Sequence, residues 1–277
     1  MALEFWRAGT DERRAAARLL RRLGLAGLAD EVAAVMAARA ARPENEAWIE
    51  AHPDAHMPPP RLVYEVSGQA LFSAYAESGA RHAHAIAAAC ADRFAAPPRR
   101  VLEWGCGPGR IIQHLPALLG LPASAFVGVD PNRASINFAR AAFADMLFQT
   151  IRRDPPTGLP AGGFDLIYGV SILTHLPERA AHAWIGELHR LCAPGGLCVL
   201  TLHREGGVDL SAAEQARLAA GGLVERAGAP SGSRAFAAYH SAAAMERLID
   251  GCFSLVARET GEIAQALGQE AWVLRAL

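Results

Sequence analysis

After Pro97-Pro98 the chain changes texture, and short apolar runs begin to alternate with stretches of helical periodicity. The runs are Val101–Trp104, Ala125–Asp130, a weaker one near Met146–Ile151, Phe164–Val170 and Leu197–His203. Strands interleaved with helices predict a parallel sheet, because a crossover helix carries the chain back to start each strand at the same end. Such a sheet is covered on both faces. The segment Pro177–Cys192 shows what covers it: Ala181, Trp184, Ile185, Leu188 and Cys192 recur on one helical face. Glu178, Arg179, Glu187 and Arg190 fall on the other and are expected in solvent. Pro194-Gly195-Gly196 is expected to end this helix and turn the chain into the next strand. Phe253–Arg258 and Ala271–Leu274 are close together in sequence, which predicts an antiparallel pair. The expected fold class is α/β.

Residues 1–97 carry no such runs and are expected to be helical. Thr10 can cap a helix whose face carries Leu19, Leu20 and Leu23; Gly24 and Gly27 interrupt it, and Val32, Val35 and Met36 continue in register to about Arg42. His52 to Pro60 is too rich in proline for regular structure. Helices are predicted from Leu62 to about Ala76 and from Arg81 to Phe94. The expected organisation is a helical region, 1–97, ahead of an α/β domain, 98–277.

Composition narrows the partners. The chain has 277 residues, 52% of them hydrophobic, and a formal net charge of −1. Phosphate binding needs an excess of Lys and Arg on one face, so a nucleic-acid partner is not expected. The early cluster Arg13, Arg14, Arg18, Arg21 and Arg22 is expected to be a solvated helix face. Cys90, Cys106, Cys192, Cys198 and Cys252 are odd in number and lack zinc spacing, which predicts free thiols and no metal. Neither a signal peptide nor a long uncharged apolar stretch is present, so the expected location is cytoplasmic, without a membrane.

The most informative segment is Val101-Leu-Glu-Trp-Gly105-Cys-Gly107-Pro-Gly109-Arg110. Glycines between a first strand and its helix let a ligand approach backbone where a Cβ would clash. The spacing is GxGxG; the dinucleotide fingerprint GxGxxG would need glycine where Arg110 stands. Glu103, ahead of Gly105, suits a cationic ligand group and would repel a pyrophosphate. The next strand ends in Asp130, whose carboxylate can accept from two neighbouring ribose hydroxyls or cap a helix that Pro131 begins.

VLEWGCGPGR, FVGVDPNRASINFAR, FDLIYGVSILTHLP and LCAPGGLCVLTLH resemble, in order and spacing, the core motifs of class I S-adenosylmethionine-dependent methyltransferases. The resemblance covers residues 98–204 and implies a Rossmann-like, seven-stranded sheet with an antiparallel last strand. It further implies S-adenosyl-L-methionine as cofactor, with Glu103, Gly105 and Gly107 beside its methionine part, Asp130 beside its ribose, and Cys106, Pro131 and Gly169 as further cofactor contacts. The third-strand motif departs from the usual pattern, and Thr150–Asp154 is the candidate for the adenine region.

Methyl transfer from a sulfonium is an in-line displacement, so the protein chiefly holds three atoms on one line. A general base helps when the acceptor is a hydroxyl or a protonated amine. His175, after the fourth strand, is the first candidate; His203 and His240 are lesser ones, each with a surface or hydrogen-bonded role as the bland alternative. Tyr64 is a candidate substrate contact if residues 1–97 form a lid, and core packing is its other fate. The expected acceptor is an O or N atom of a small molecule. A protein or RNA acceptor, or cofactor binding without catalysis, are the alternatives. Docking on the sheet flank or a homodimer contact is the alternative use of the N-terminal helices.

Overall fold

The computed structural model describes residues 24–94, 96–204, 210–226, 232 and 236–277. The helix expected after Thr10, with its arginine cluster, lies outside the described residues. The helices are α1 (Ala26–Ala51), α2 (Pro60–Ser67), α3 (Phe72–Cys90), α4 (Leu115–Leu119), α5 (Arg133–Ala142), α6 (Glu178–Leu191), α7 (Ala212–Ala219), α8 (Ala242–Ile249) and α9 (Glu262–Leu267). The strands are β1 (Val101–Trp104), β2 (Phe126–Asp130), β3 (Leu147–Thr150), β4 (Phe164–Gly169), β5 (Cys192–Leu202), β6 (Leu223–Arg226), β7 (Ala237–His240), β8 (Phe253–Glu259) and β9 (Glu270–Ala276).

Seven strands form one sheet in the order β3-β2-β1-β4-β5-β9-β8. The pairs from β3 to β5 are parallel, and β9 runs antiparallel to both β5 and β8. This is the mostly parallel α/β sheet that the alternating runs predict. Because side chains alternate across a strand, the two faces build separate cores. Leu102, Trp104, Val129, Ile167 and Leu200 pack with Trp184, Ile185 and Leu188 of α6 and with Met245 and Leu248 of α8. Val101, Phe126, Leu166, Tyr168 and Val199 pack with Ala83, Ile86 and Ala89 of α3. Helix α3 is therefore a layer of the sheet's own core, and the division expected at residue 97 does not coincide with a break in packing.

Several local expectations are corrected. The helix break falls at Gly68, a left-handed cap at φ 71°, so α3 runs without interruption through the gap expected between Ala76 and Arg81. Gly27 lies inside α1, as does Pro43. Pro194-Gly195-Gly196 does not separate helix from strand: β5 starts at Cys192, paired with Phe164, and the register shifts before Leu197 pairs with Leu166. Glu187, expected in solvent, is buried at 6% exposure. It accepts from the Thr157 amide and hydroxyl and from the Arg190 guanidinium, which together hold its carboxyl down at about 2. The hairpin β6–β7, pairing Leu223 with His240, was not anticipated.

Gly79 explains how α3 comes so close to the glycine turn: a Cβ there would overlap the Arg110 carbonyl oxygen. Gly186 on α6 is exposed, with nothing near its missing Cβ. Gly79→Ala should therefore destabilise by about 1–3 kcal/mol, the usual range for overpacking. Gly186→Ala should stabilise by about 0.4–1 kcal/mol through the unfolded chain and helix propensity. Urea midpoints that move in the same direction for both variants would contradict this packing.

Candidate active site

The carboxyl ends of β1 and β2 are tied by backbone. Gly105 and Cys106 both donate their amides to the Val129 carbonyl, at 2.8 and 3.0 Å. Gly107 donates to Oδ2 of Asp130 at 2.9 Å. The turn needs left-handed backbone at Gly105, Gly107 and Gly109 (φ 76°, 53° and 88°), which glycine adopts without a Cβ penalty. Side chains from two other elements lie over it. A Cβ at Gly105 would overlap Ile172, from the loop after β4, and one at Gly107 would stand 2.9 Å from Cγ1 of Val66 on α2. Cys106 is buried beneath, its thiol within 2.8 Å of where a Gly128 Cβ would be.

Asp130 is not the helix cap. Its Oδ1 accepts from the Asn132 amide at 2.7 Å, and Asn132 itself caps α5 by accepting from Ala134 and Ser135. Pro131 is exposed in the bend ahead of that cap. Each Asp130 oxygen thus accepts one backbone N–H and keeps further lone-pair capacity, so the carboxylate can still take two hydroxyl donors. Burial raises its pKa, and the two amides oppose that rise. The Ile151 amide donates to the Asp130 carbonyl, which ties the Thr150–Asp154 segment to the same strand tip. Beyond Ile151 that segment is exposed.

Glu103 alternates onto the α3 face of the sheet, where it is 3% exposed and accepts from the Ile112 amide at 3.1 Å. Burial is the largest influence and pushes its carboxyl up to about 8. The Tyr168 hydroxyl beside it, outside strict hydrogen-bond geometry, and the Arg110 charge pull the other way. Tyr75 of α3 brings a second buried hydroxyl without a hydrogen-bond partner to the same recess. Arg110, partly exposed, donates to Ser78 of α3 and contacts the His82 ring.

The remaining candidates scatter around the strand ends. Gly169 is buried against Trp104, whose ring would meet its Cβ at 2.7 Å. His175 is half-buried, and its Nδ1 lies 2.9 Å from the Phe236 carbonyl. A carbonyl only accepts, so Nδ1 carries the proton and Nε2 the lone pair. His203 stacks on Tyr239 at 4.6 Å between ring centroids, and Arg226 lies over the same Tyr239 ring. His240 is buried with both ring nitrogens lacking a hydrogen-bond partner, and burial holds its pKa down at about 4. Tyr64 is buried in the contact between α1 and α2, packed on Ala34 and Ala41, with its hydroxyl donating to Asp30 at 3.2 Å. The α2 side chains at the strand ends are instead Val66, at Gly107, and Glu65, which accepts from the Asn132 side chain at 2.7 Å. Sequence reasoning missed Glu65, Val66 and Ile172; only Asn132, two residues after a strand-end acid, carried a signal as a cap residue.

Residues 101–196 match the family model described as a methyltransferase domain. The chain is 30% identical over 106 residues to trans-aconitate 2-methyltransferase of Methylobacterium nodulans, covering 36% of this chain and 37% of that protein. It thus spans little more than a third of that curated relative's length. The fold is similar to a S-adenosylmethionine-dependent methyltransferase from Methanosarcina mazei (TM-score 0.51, 17% identity, 66% of this chain and 95% of that one). It is also similar to DesVI of Streptomyces venezuelae (TM-score 0.51, 15% identity, 73% and 95%). Residues 101–196 are thus a methyltransferase domain by family model, and the sheet order and glycine turn are those of the class I, Rossmann-like S-adenosylmethionine-dependent methyltransferase fold.

The buried Glu103 makes stability depend on pH. Its folded pKa, about 8, lies above the ordinary 4.5, so between those values the folded state holds a proton that the unfolded chain has released. Stability is then lost as pH rises through that window. Below pH 6.5 the depressed His82 and His240 oppose this trend, so Glu103→Gln should flatten most of the fall in urea midpoint between pH 6.5 and about 8. An unchanged slope would contradict the protonated, buried carboxyl.

Proposed function

We propose that this protein transfers a methyl group from S-adenosyl-L-methionine to an O or N atom of a small molecule. The observation that carries the reading is the juxtaposition of the glycine turn with the Asp130 carboxylate at the ends of β1 and β2. Those residues suit the cofactor: Asp130 has acceptor capacity for two ribose hydroxyls, and the glycines leave bare backbone that a ligand reaches once the Ile172 and Val66 side chains covering it give way. When bound, the cofactor supplies an electrophilic methyl on sulfur, ready for displacement. Gly105 and Gly107 line the methionine side of this arrangement, with Glu103 and Cys106 buried behind them, and the Ile151 segment the adenine side.

The small acceptor is supported by three features. The net charge of −1 offers no excess of cations for nucleic acid. Helix α2 stands over the turn through Val66 and reaches the β2 tip through Glu65, as a cover over a compact ligand would. The lid of this reading is α1 and α2, with α3 left in the sheet's core. The curated relative of partial length acts, by its name, on trans-aconitate, which is small. None of the described helices is long and apolar enough to cross a membrane, and all five cysteines are free thiols, as a reducing cytoplasm would keep them.

His175 is the proposed general base, its Nε2 lone pair set by the Nδ1–H bond to Phe236. A carboxylate acceptor would bypass it. For a hydroxyl or amine acceptor, His175→Ala should lower turnover by about 10²–10⁴-fold while S-adenosylhomocysteine affinity holds. Unchanged turnover with such an acceptor would remove histidine from the mechanism. Asp130→Ala should weaken S-adenosylhomocysteine binding by about 1.5–3 kcal/mol, the range for hydrogen bonds to a charged group. Wild-type affinity in a folded Asp130→Ala protein, measured by calorimetry, would sink the cofactor reading.

A further inference from the structure

Ser171, just past the end of β4, has φ 64°, a left-handed backbone that a residue with a Cβ rarely adopts. Such strain persists only where surrounding structure over-determines it. Here a closed ring of hydrogen bonds does so. The Ser171 amide donates to Oγ1 of Thr201, at the end of β5, at 2.7 Å. The Thr201 hydroxyl donates to Oε1 of Gln269, and Nε2 of Gln269 donates back to Oγ of Ser171 at 2.9 Å. Thr174 closes the set from the other side: its hydroxyl donates to the Ser171 carbonyl at 2.8 Å, so the 3.0 Å contact between the two hydroxyls has Ser171 as donor. Every proton then has one place to go, and only one orientation of the Gln269 amide satisfies all partners.

The ring is buried. Thr174 and Thr201 are at most 1% exposed and Gln269 9%. Gln269 immediately precedes β9, so the ring joins the ends of β4 and β5 to the start of the antiparallel strand. What it holds is the direction in which the chain leaves β4. The next residue, Ile172, lies against Gly105 in the space a Cβ would fill. Two more links tether the same loop: the His175 carbonyl accepts from Gly232, and the His175 ring meets the Phe236 carbonyl.

We propose that Gln269, through Thr201, is a positioning residue for the cofactor site: it holds Ser171 left-handed so that the loop after β4 forms the wall facing the glycine turn. The inference rests on the reading of that turn as the S-adenosylmethionine site. Gln269 itself touches no reacting group. Its effect passes through one backbone angle, and that makes it separable from ordinary packing.

Glycine adopts φ 64° without strain, so Ser171→Gly should make the site less dependent on Gln269. Four full-length proteins are compared: wild type, Gln269→Leu, Ser171→Gly and the double variant. Gln269→Leu keeps the size and removes both hydrogen bonds. Its S-adenosylhomocysteine affinity by calorimetry should fall about tenfold, within the coupling expected inside one hydrogen-bond network. On the Ser171→Gly background the same change should cost about threefold or less. Because Ser171→Gly also removes the Oγ that Gln269 bonds, a further pair, Ser171→Ala with and without Gln269→Leu, loses the same hydroxyl but keeps the Cβ; equal losses on the glycine and alanine backgrounds overturn the proposal, as does full affinity in Gln269→Leu. A second readout needs no ligand: hydrogen exchange of residues 171–176 should quicken in Gln269→Leu while β9 stays protected. Unchanged protection also overturns it. If wild type fails to bind S-adenosylhomocysteine, the cofactor reading falls and with it the role of Gln269 there. The exchange data would then show separately whether the loop is held as described.

Discussion

The site depends on how the end of β2 holds the end of β1. Two successive amides, of Gly105 and Cys106, converge on one carbonyl at Val129, and the next residue, Gly107, donates to the Asp130 side chain. Those bonds force the chain to leave β1 through left-handed backbone, which fixes where glycine must stand. The turn so formed carries no Cβ at residues 105, 107 and 109. Other elements can then approach it: Val66 from α2, Ile172 from the loop after β4, and the α3 helix, which needs a glycine of its own at Gly79. Asp130 does double duty, since the carboxylate that pins Gly107 also starts the bend leading to the Asn132 cap.

The same arrangement governs the electrostatics beneath the turn. Glu103 reaches the α3 face because side chains alternate along β1, and there it meets the hydroxyls of Tyr75 and Tyr168 within an apolar core. A carboxyl in that position is easier to keep neutral than charged. The polar groups at the carboxyl edge are treated differently: Asp130, Ser171 and Thr201 are each satisfied by named donors and acceptors. Behind the turn the hydroxyls of Tyr75 and Tyr168 lack a partner, while Asp130, Ser171 and Thr201 at the strand ends are bonded.

Much of this was legible in the sequence where one local rule decided the outcome. The alternation of apolar runs with helical segments gave each parallel strand to within a few residues, and the glycine spacing placed the turn. The errors arose where tertiary contacts override local pattern. Glu187 falls on the polar side of the α6 pattern, yet Thr157 and Arg190 satisfy it in a buried position. Tyr64, for which core packing was the alternative to a substrate contact, packs on Ala34 and Ala41 of α1. The Pro-Gly-Gly signal marked irregularity correctly and misjudged its kind, because β5 pairs with β4 on both sides of it. Ser171, Thr201 and Gln269 are far apart in sequence, and no local signal could announce that three strand ends bring them together.

The β1–β2 clamp is proposed to fit a sulfonium nucleoside and not a dinucleotide. Calorimetric titration tests it most directly, with S-adenosylhomocysteine and NADH measured against the same preparation. One S-adenosylhomocysteine site per chain is expected, with weaker binding, or none, for NADH. NADH binding more tightly than S-adenosylhomocysteine would contradict it.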